Sequence, residues 1–456
     1  MKGGPKVVLF EAGNLDIADE CAANAEVGAA MKFVLASWGS RGDVEPNLAV
    51  GRELVRRGHD VYMAVPPDLV SFTEAAGVAA VGFGPEAQSI LDSHREFWTC
   101  FFSHPWRIRK LVTSRLAIAG PLLRGWQEMS TTLMSLADGA DLLFTGINFE
   151  DAAANVAEHY DIPLATLHYF PLRPNGQTLR FLPAPLARAA VTAFWWVTWR
   201  GMKKGEDAQR RELGLPKATG SAPRRITERG SLEIQAYDAA CFPGLAAEWA
   251  KWVGQRPFVG TLTLGLGTAA DDEVASWIAA GTPPIYFGFG SIPVESPADT
   301  IAMIAAACAR LGERALIGAA GTDYSNVPRF EHVKVVGAMN FPTVFPACRA
   351  LVHHGGSSTT PIAMRAGVPQ LILYWDMVHA VYGAAVKRLK VGTARRFSTA
   401  TENSLVADLR TILAPEYVAR ARELATQITE PAKSAAAAAD LLEDFARLKR
   451  VGQQAL

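Results

Sequence analysis

Two successive runs of alternating short apolar segments and helical segments constrain what this 456-residue chain can fold into. In the first run, the apolar segment 32–37 is followed by an amphipathic segment that Gly58 ends, and then by the apolar segment 59–65. This order is typical of a βαβ unit, in which both strands lie parallel in one sheet. The pattern predicts further strands at 141–145 and 163–167.

A second run of the same kind follows a Pro- and Gly-bearing linker around 253–257. Its apolar segments predict strands at 285–287, 315–317, 333–336, 351–353 and 371–373. Helical segments alternate with these strands, so each run predicts a doubly wound parallel sheet. The expected fold is therefore α/β, with two Rossmann-like domains that face each other across a ligand-binding cleft.

We place the N-terminal domain at 31–252, the C-terminal domain at 258–429 and a C-terminal helical segment at 430–456. Residues 1–30 are expected to be an extension outside the core, and one candidate explanation is a true start codon at Met31. The apolar segment 7–10 is too short for a signal peptide, and acidic residues follow it.

Two stretches between the predicted core strands, at 84–135 and 170–225, are rich in aromatic residues and less regular than the rest. Most of these aromatic side chains are expected to pack between helices. The dense cluster at 194–199 is a candidate for lining an acceptor pocket or touching a lipid surface, because large apolar patches usually have a use.

Charge and cysteine content exclude several classes of protein. The 45 Lys and Arg residues balance 45 Asp and Glu residues, which argues against nucleic acid as the main partner. The five cysteines are scattered without C-x-x-C spacing, so neither a zinc site nor a disulfide framework is expected. No apolar segment reaches the ~18–20 residues of a membrane span. These features predict a cytoplasmic protein, with peripheral contact at the inner face of the membrane as an option.

The octet 353–360, His-His-Gly-Gly-Ser-Ser-Thr-Thr, lies between a predicted strand and a predicted helix. The first amides of a helix lack intrahelical partners and carry partial positive charge. Gly355 and Gly356 let a bound group approach the backbone, and the four hydroxyl groups that follow are hydrogen-bond donors. The octet predicts either an anion site or simply a capped helix.

A second motif, Gly39-Ser40-Arg41-Gly42-Asp43-Val44-Glu45-Pro46, follows the first predicted strand. Open α/β sheets place functional groups at such strand ends. We expect a loop that leads into a helix beginning near Pro46, with Asp43 close to the helix N-terminus. By itself, the sequence favours a simple capping role for Asp43.

Both motifs resemble those of GT-B glycosyltransferases that use nucleotide-sugar donors. The octet is similar to the HHGG-x-G-T-T donor-phosphate motif, and 39–46 is similar to the G-x-R-G-D-x-x-P motif of the bacterial branch. The likeness extends from about Met31 into the C-terminal region. It is greatest to bacterial natural-product enzymes and sterol glucosyltransferase-like enzymes, especially those that glycosylate mycobacterial glycopeptidolipids.

The resemblance implies roles for individual residues. Asp43 matches the general base of an inverting single displacement, flanked by the acceptor-loop residues Ser40, Arg41 and Gly42. His353 matches the histidine that contacts the donor phosphates. The resemblance also implies that the C-terminal helix packs back on the first domain. The other residues matched to donor binding are Gly355, Gly356, Ser357, Ser358, Thr359 and, in the Gly288-Phe289-Gly290-Ser291 segment, Ser291.

The chain departs from the family after the predicted strand 371–373, where an Asp-Gln pair usually holds the donor sugar. Asp376 matches that Asp in one register, and the pair falls at Val378-His379 in the other. We retain Asp376 and His379 as candidates, and a 6-deoxy sugar as one candidate donor. The chain has no D-x-D triplet, which agrees with metal-independent transfer.

The resemblance therefore implies an inverting hexosyltransferase that needs no cofactor. Its partners would be a UDP- or TDP-type sugar donor and a hydrophobic, hydroxylated acceptor such as a lipopeptide. Two alternatives stay open. One is a sugar-nucleotide epimerase or hydrolase on the same architecture, and the other is a non-catalytic protein that binds sugar nucleotides.

Overall fold

The computed structural model of the chain describes residues 29–454, except 105, 180–181, 291–293, 295 and 321. The expected extension 1–30 lies outside the described residues apart from its last two positions. The described part contains two six-stranded parallel sheets with helices on both faces. The prediction of two doubly wound α/β domains is confirmed.

The first sheet has the order β3-β2-β1-β4-β5-β6 and the second has the order β12-β11-β10-β7-β8-β9. The first comprises β1 Lys32–Ala36, β2 Asp60–Val65, β3 Ala79–Gly82, β4 Leu142–Gly146, β5 Leu164–His168 and β6 Leu232–Gln235. The second comprises β7 Ile285–Gly288, β8 Ala315–Gly318, β9 Val333–Val336, β10 Ala350–His353, β11 Gln370–Tyr374 and β12 Gly392–Arg396.

Helices connect these strands. Those of the first domain are α1 Arg41–Arg56, α2 Val70–Ala75, α3 Gln88–Ser103, α4 Ile108–Ala137, α5 Glu150–Tyr160, α6 Ala184–Glu212, α7 Ala222–Glu228 and α8 Leu245–Glu248. The remaining helices are α9 Asp271–Ala279, α10 Pro297–Leu311, α11 Phe341–Val344, α12 Thr359–Arg365, α13 Met377–Leu389, α14 Glu402–Ile412, α15 Pro415–Ala425 and α16 Pro431–Gln454. No helix in the described part is long and apolar enough to cross a bilayer.

The strand order fixes where ligands can bind. In each sheet the chain reverses its direction of progress at one point, between β1 and β4 in the first and between β7 and β10 in the second. Doubly wound sheets bind ligands at this switch point, beyond the carboxyl ends of the strands. The loops that follow β1 and β10 are the two that carry the sequence motifs.

Two features differ from the sequence expectation. Strands β3, β6 and β12 were not expected, because β3 and β12 contain few large apolar residues and β6 is only the short segment Leu-Glu-Ile-Gln. The stretches 84–135 and 170–225 are largely helical rather than irregular, with α4 and α6 spanning 30 and 29 residues. Their first halves are largely exposed, so they lack the single apolar stripe that identifies a packed helix.

The two domains share one continuous apolar cluster. It runs from the face of the first sheet through Trp249 and Leu262 to Tyr382 of α13 and Leu442 of α16. Helix α16 also lies against α1, where Arg57 Nη1 is 2.6 Å from Asp440 Oδ1. The C-terminal helix therefore packs on the N-terminal domain, and the two domains are joined by apolar contact.

Candidate active site

Asp43 lies in the first turn of α1, beyond the carboxyl end of β1, at the switch point of the first sheet. The helix begins at Arg41 rather than near Pro46, because Asp43 Oδ2 accepts hydrogen bonds from the backbone N of Ser40 at 2.7 Å and its Oγ at 3.0 Å. Pro46 consequently lies inside the helix. A Cβ on Gly39 would lie 2.4 Å from Asp43 Oδ2, so this close approach requires glycine.

The other carboxylate oxygen of Asp43 faces the ends of two further strands. Oδ1 accepts a hydrogen bond from the Tyr169 hydroxyl at 2.6 Å and a long one from Asn148 Nδ2 at 3.4 Å. Tyr169 follows β5 and Asn148 follows β4, so the sheet order brings them to Asp43. The sequence analysis missed both residues, because nothing in the local sequence distinguishes them from other strand-end residues.

These contacts set the proton affinity of Asp43. Burial raises the pKa of the carboxyl above its ordinary value, and the hydrogen bonds from Tyr169 and Ser40 partly oppose that rise. Burial also keeps the pKa of Tyr169 well above 10, so its hydroxyl remains a donor. Asp43 is thus a stronger base than an exposed aspartate and has a fixed orientation, both of which general base catalysis requires.

We expect Tyr169→Phe to shift the acidic limb of the pH–activity profile to higher pH. The hydroxyl stabilises the charged form of Asp43, so its removal raises the pKa, and more alkaline solution is then needed to deprotonate the carboxyl. The check is kcat/KM against pH for wild type and variant. Tyr160→Phe is the control, since Tyr160 donates to Met134 O instead. An unchanged limb would contradict the assignment.

His353 ends β10 and is fully buried. Its Nε2 lies 2.9 Å from Gln370 Oε1, and its Nδ1 accepts a hydrogen bond from the Gly355 backbone N at 3.1 Å. Burial lowers the pKa of His353 to about 4, so the ring is neutral. Both ring nitrogens are engaged within the protein. The described contacts of His353 therefore support the turn, and the phosphate contact that the resemblance implies stays a prediction.

The turn after His353 opens toward the cleft. Gly355 has φ +93°, and Ser357 is buried beside it. Ser358 precedes α12, and its buried Oγ has no hydrogen-bond partner among the described residues. A Cβ placed on Gly42 would lie 3.9 Å from that Oγ. The Asp43 loop and the hydroxyl-rich turn therefore lie close to each other.

Other residues of the turn have distinct environments. Thr359 begins α12 and is partly exposed, whereas the Thr360 hydroxyl donates to Gly356 O at 2.8 Å. A Cβ on Gly356 would lie 2.6 Å from Nε2 of His354, whose ring fills the space between the turn and Gly290. The sequence candidate Ser291 lies outside the described residues.

We expect Gly355→Ala to weaken nucleotide binding at least tenfold. The new Cβ would lie 2.9 Å from Ile372 Cγ2 and 3.0 Å from His379 O, in a backbone conformation that costs a non-glycine residue about 1–3 kcal/mol. Titration calorimetry with a nucleoside diphosphate measures the change. Gly312→Ala is the matched control, because Gly312 also has positive φ (+67°) but its Cβ would meet nothing within 4 Å. Equal affinity in both variants would contradict a ligand at the turn.

Asp376 and His379 form one unit at the start of α13. Asp376 Oδ1 lies 2.8 Å from both the backbone N and the ring Nδ1 of His379. Burial alone would depress the pKa of His379, but the Asp376 carboxylate outweighs it and raises that pKa, while the Asp376 pKa is lowered. Asp376 is almost fully buried and His379 is the more exposed of the two, so His379 is the member that can meet a ligand.

The unit lies beside the Asp43 loop. The charge of His379 lowers the pKa of Asp43, and the His379 ring contacts Phe170 edge-on at 6.3 Å between centroids. His94 of α3 lies within electrostatic range of all three charged groups, and burial lowers its pKa. The sequence analysis missed His94, because it falls in a stretch that showed no regular pattern.

Arg41 points away from this cluster. Its Nε lies 3.1 Å from Glu45 Oε2, and its guanidinium lies 4.5 Å from the centroid of the Phe72 ring. Glu45 Oε1 in turn accepts a hydrogen bond from the Leu264 backbone N at 2.9 Å. Arg41 therefore packs where α1 contacts the segment that leads from the first domain into the second.

The assembled site combines one basic carboxylate, a nearby turn of hydroxyl groups and glycines, and a histidine whose pKa is raised by the adjacent Asp376 carboxylate. Such a cleft can hold an anionic leaving group on one side while a hydroxyl group is deprotonated on the other. Among the described residues, no group of three His, Cys, Asp or Glu side chains converges as a metal site.

Comparisons with known proteins show the family of this chain. Residues 33–123 match the family described as glycosyltransferase family 28 N-terminal domain, and residues 303–443 match the erythromycin biosynthesis protein CIII-like C-terminal domain. The chain is 56% identical over 423 residues to an uncharacterized glycosyltransferase of Mycobacterium tuberculosis, covering 92% of this chain and 100% of that protein.

Solved glycosyltransferases share the fold at low sequence identity. The calicheamicin glycosyltransferase CalG4 superposes with a TM-score of 0.65 at 18% identity, covering 91% of this chain and 98% of that one. The glycosyltransferase VinC in complex with DTDP has a TM-score of 0.59 at 15% identity, covering 92% of this chain and 100% of that one.

Proposed function

The chain belongs to the GT-B glycosyltransferases, and from this premise we propose an inverting transfer of a sugar from a nucleoside diphosphate to an acceptor hydroxyl. The observation that carries the proposal is the approach of the Asp43 loop to the turn that contains Ser358. That approach leaves the base and the leaving-group site on opposite sides of one cleft, as a single displacement requires.

Asp43 is the proposed general base. Its Oδ1 takes the proton of the acceptor hydroxyl while the oxygen of that hydroxyl bonds to the anomeric carbon. The bond from this carbon to the diphosphate breaks at the same time, with inversion of configuration. Tyr169, Asn148 and Ser40 hold the carboxylate toward the cleft.

The turn at 355–359 is the proposed site of the departing diphosphate. Backbone amides near the start of α12 and the hydroxyls of Ser357, Ser358 and Thr359 offer hydrogen bonds to phosphate oxygens. His353 contributes by holding the Gly355 amide. We assign no metal ion to this step. A thymidine or uridine nucleotide fits the resemblance, and the VinC complex contains DTDP.

His379 is the proposed contact for the donor sugar, with Asp376 holding its ring in place. A single imidazole takes the place of the family's Asp-Gln pair and offers fewer hydrogen bonds to sugar hydroxyls. A 6-deoxyhexose therefore suits this site. For the acceptor we propose a hydroxylated, apolar natural product such as a lipopeptide. Glycopeptidolipids are the example that the resemblance suggests. We also propose that the enzyme works in peripheral contact with a membrane.

The test is a thermal-shift titration with TDP, UDP and GDP, with and without magnesium. We expect one of the three to raise the melting temperature without magnesium, because a ligand at a hundred times its Kd stabilises the folded state by about 2.7 kcal/mol. The preferred nucleotide then selects donors for a transfer assay with product analysis. No shift with any nucleotide would contradict a nucleotide site at the turn. Nucleotide binding without transfer would favour the non-catalytic protein, and donor conversion without an acceptor would favour a hydrolase or epimerase.

A further inference from the structure

We propose that Trp106 and the first halves of α4 and α6 form a surface that docks on an anionic lipid bilayer. We call this the docking surface. It consists of large apolar side chains that are more than half exposed, namely Trp106, Ile108, Val112, Leu116, Leu186, Phe194, Trp196 and Val197. The proposal deepens the proposed function, because it rests on the assignment of an apolar acceptor to the cleft.

The docking surface on α4 is a second apolar face of an amphipathic helix. Ile108, Val112 and Leu116 follow one another at four-residue spacing, so they form one stripe along the helix. Ser114 and Ile118, which pack inward, point to the opposite side at about 100° per residue. The stripe is therefore not used for packing within the domain, and its exposure leaves a continuous apolar surface in water.

Helix α6 supplies a matching stripe. Leu186, Phe194 and Val197 share one side of this helix, whereas Trp199 packs inward and donates its Nε1–H to Glu206 at 2.7 Å. The aromatic cluster at 194–199 is thus divided between an exposed and a buried side. The exposed side continues the apolar surface rather than lining the cleft.

The two helices run in the same direction, so their exposed halves lie on the same end of the domain. A Cβ on Gly205 would lie 3.2 Å from Leu123 Cδ2, and further along both helices Gln209 Nε2 donates to Ser130 Oγ at 3.0 Å. Counting back from Leu123 at 1.5 Å per residue, Ile108 lies about 22 Å away along α4. The first half of α6 extends from its contact with α4 toward the same end of the domain.

Charge identifies the partner. Segments 106–124 and 184–204 contain nine Lys and Arg residues and no Asp or Glu, in a chain whose net charge is zero. Three of the nine form ion pairs with Glu96, Glu248 and Asp207, which reduces the positive charge without cancelling it. Apolar and aromatic side chains flanked by basic ones are the composition of helices that lie in the interface of anionic membranes.

The docking surface adjoins the acceptor side of the cleft. Trp195 Nε1 donates to Leu172 O at 2.7 Å, three residues beyond the Tyr169 that holds Asp43. On the other helix, the charge of Arg115 acts on His94, which in turn lies within range of Asp43. A bilayer against this surface would present a lipid-anchored acceptor next to the general base.

The experiment is co-sedimentation of the full chain with vesicles of phosphatidylcholine alone or mixed with phosphatidylglycerol. We expect binding to the anionic vesicles only, weakened by salt because charge contributes to it. The variant Leu116→Glu/Phe194→Glu places one acidic residue on each helix and should lower the partition coefficient by about tenfold or more. The control Val253→Glu/Leu448→Glu changes equally exposed apolar residues elsewhere and should bind like wild type.

Melting temperature and nucleotide response of both variants show that they fold. Absence of binding to either vesicle, or equal binding by the test variant and the control, would overturn the proposal. A lipid-free dimer that the test variant dissociates, seen by light scattering, would also overturn it in favour of a second copy of the chain. Transfer to a water-soluble acceptor is assayed separately, so failure of docking and failure of the proposed activity are distinguishable.

Discussion

Asp43→Asn is expected to lower the rate of sugar transfer by roughly a hundredfold to ten-thousandfold, the range that general base catalysis supplies. The amide is nearly isosteric, so the contacts to Tyr169 and Ser40 can be partly kept while the proton acceptor is lost. Initial rates with the nucleotide sugar chosen by thermal shift measure the loss. Nucleotide binding itself should not weaken, because the proposed phosphate site lies on the facing domain.

The control for this variant is Asp138→Asn. Asp138 is exposed and follows α4 at the amino-terminal edge of the first sheet, away from the cleft. Its substitution therefore removes one carboxylate without touching the site. Near-wild-type turnover of Asp43→Asn would exclude Asp43 as the base. Retained donor binding together with lost transfer would separate a catalytic defect from a folding defect.

Arg173→Met is expected to lower the free energy of unfolding by about 3–5 kcal/mol, the usual cost of removing one partner from a buried ion pair. Arg173 is buried and makes a bidentate contact to Glu150, with Nη1–Oε1 and Nη2–Oε2 distances of 2.8 and 2.9 Å. Its Nε also donates to Glu233. The substitution would leave both carboxylates buried without this cation.

Urea unfolding followed by tryptophan fluorescence measures the change. Arg224→Met is the control, since Arg224 pairs with Glu228 on an exposed helix surface and should leave the unfolding midpoint nearly unchanged. The double variant Arg173→Met/Glu150→Met should recover part of the loss, because it also removes the Glu150 carboxylate, whereas Glu233 keeps its contact with Arg256. A loss below about 1 kcal/mol would show that water compensates the buried carboxylates.

The Arg173 network also explains why the base is well positioned. Glu150 begins α5 directly after Asn148 and Phe149, and Arg173 follows Tyr169 by four residues. The ion pair therefore joins the two loops whose side chains hold Asp43. Phe149 has the left-handed φ of 64°, and its ring packs against Trp38 and Trp126. Such backbone strain persists only where the surrounding contacts enforce it.

Local patterns in the sequence were sufficient for the fold class and for the two loops of the site. Strand and helix periods are short-range properties, so alternating βα segments and their Gly-rich ends can be read from neighbouring residues. Asp43 and the turn at 355–359 were identified in this way, and the resemblance added roles for them. Membership of the GT-B glycosyltransferases was confirmed by the comparisons.

Only the tertiary structure decided which side chains meet. Pairing of β1 with β4 and of β4 with β5 brings Asn148 and Tyr169 to Asp43 from more than 100 residues away in the chain, and no local pattern encodes that contact. The inward orientation of the His353 ring was also visible only in the structure, where Gln370 of the adjacent strand holds the ring. Which faces of α4 and α6 stay in solvent depends on what packs against them, and a helix period does not contain that information.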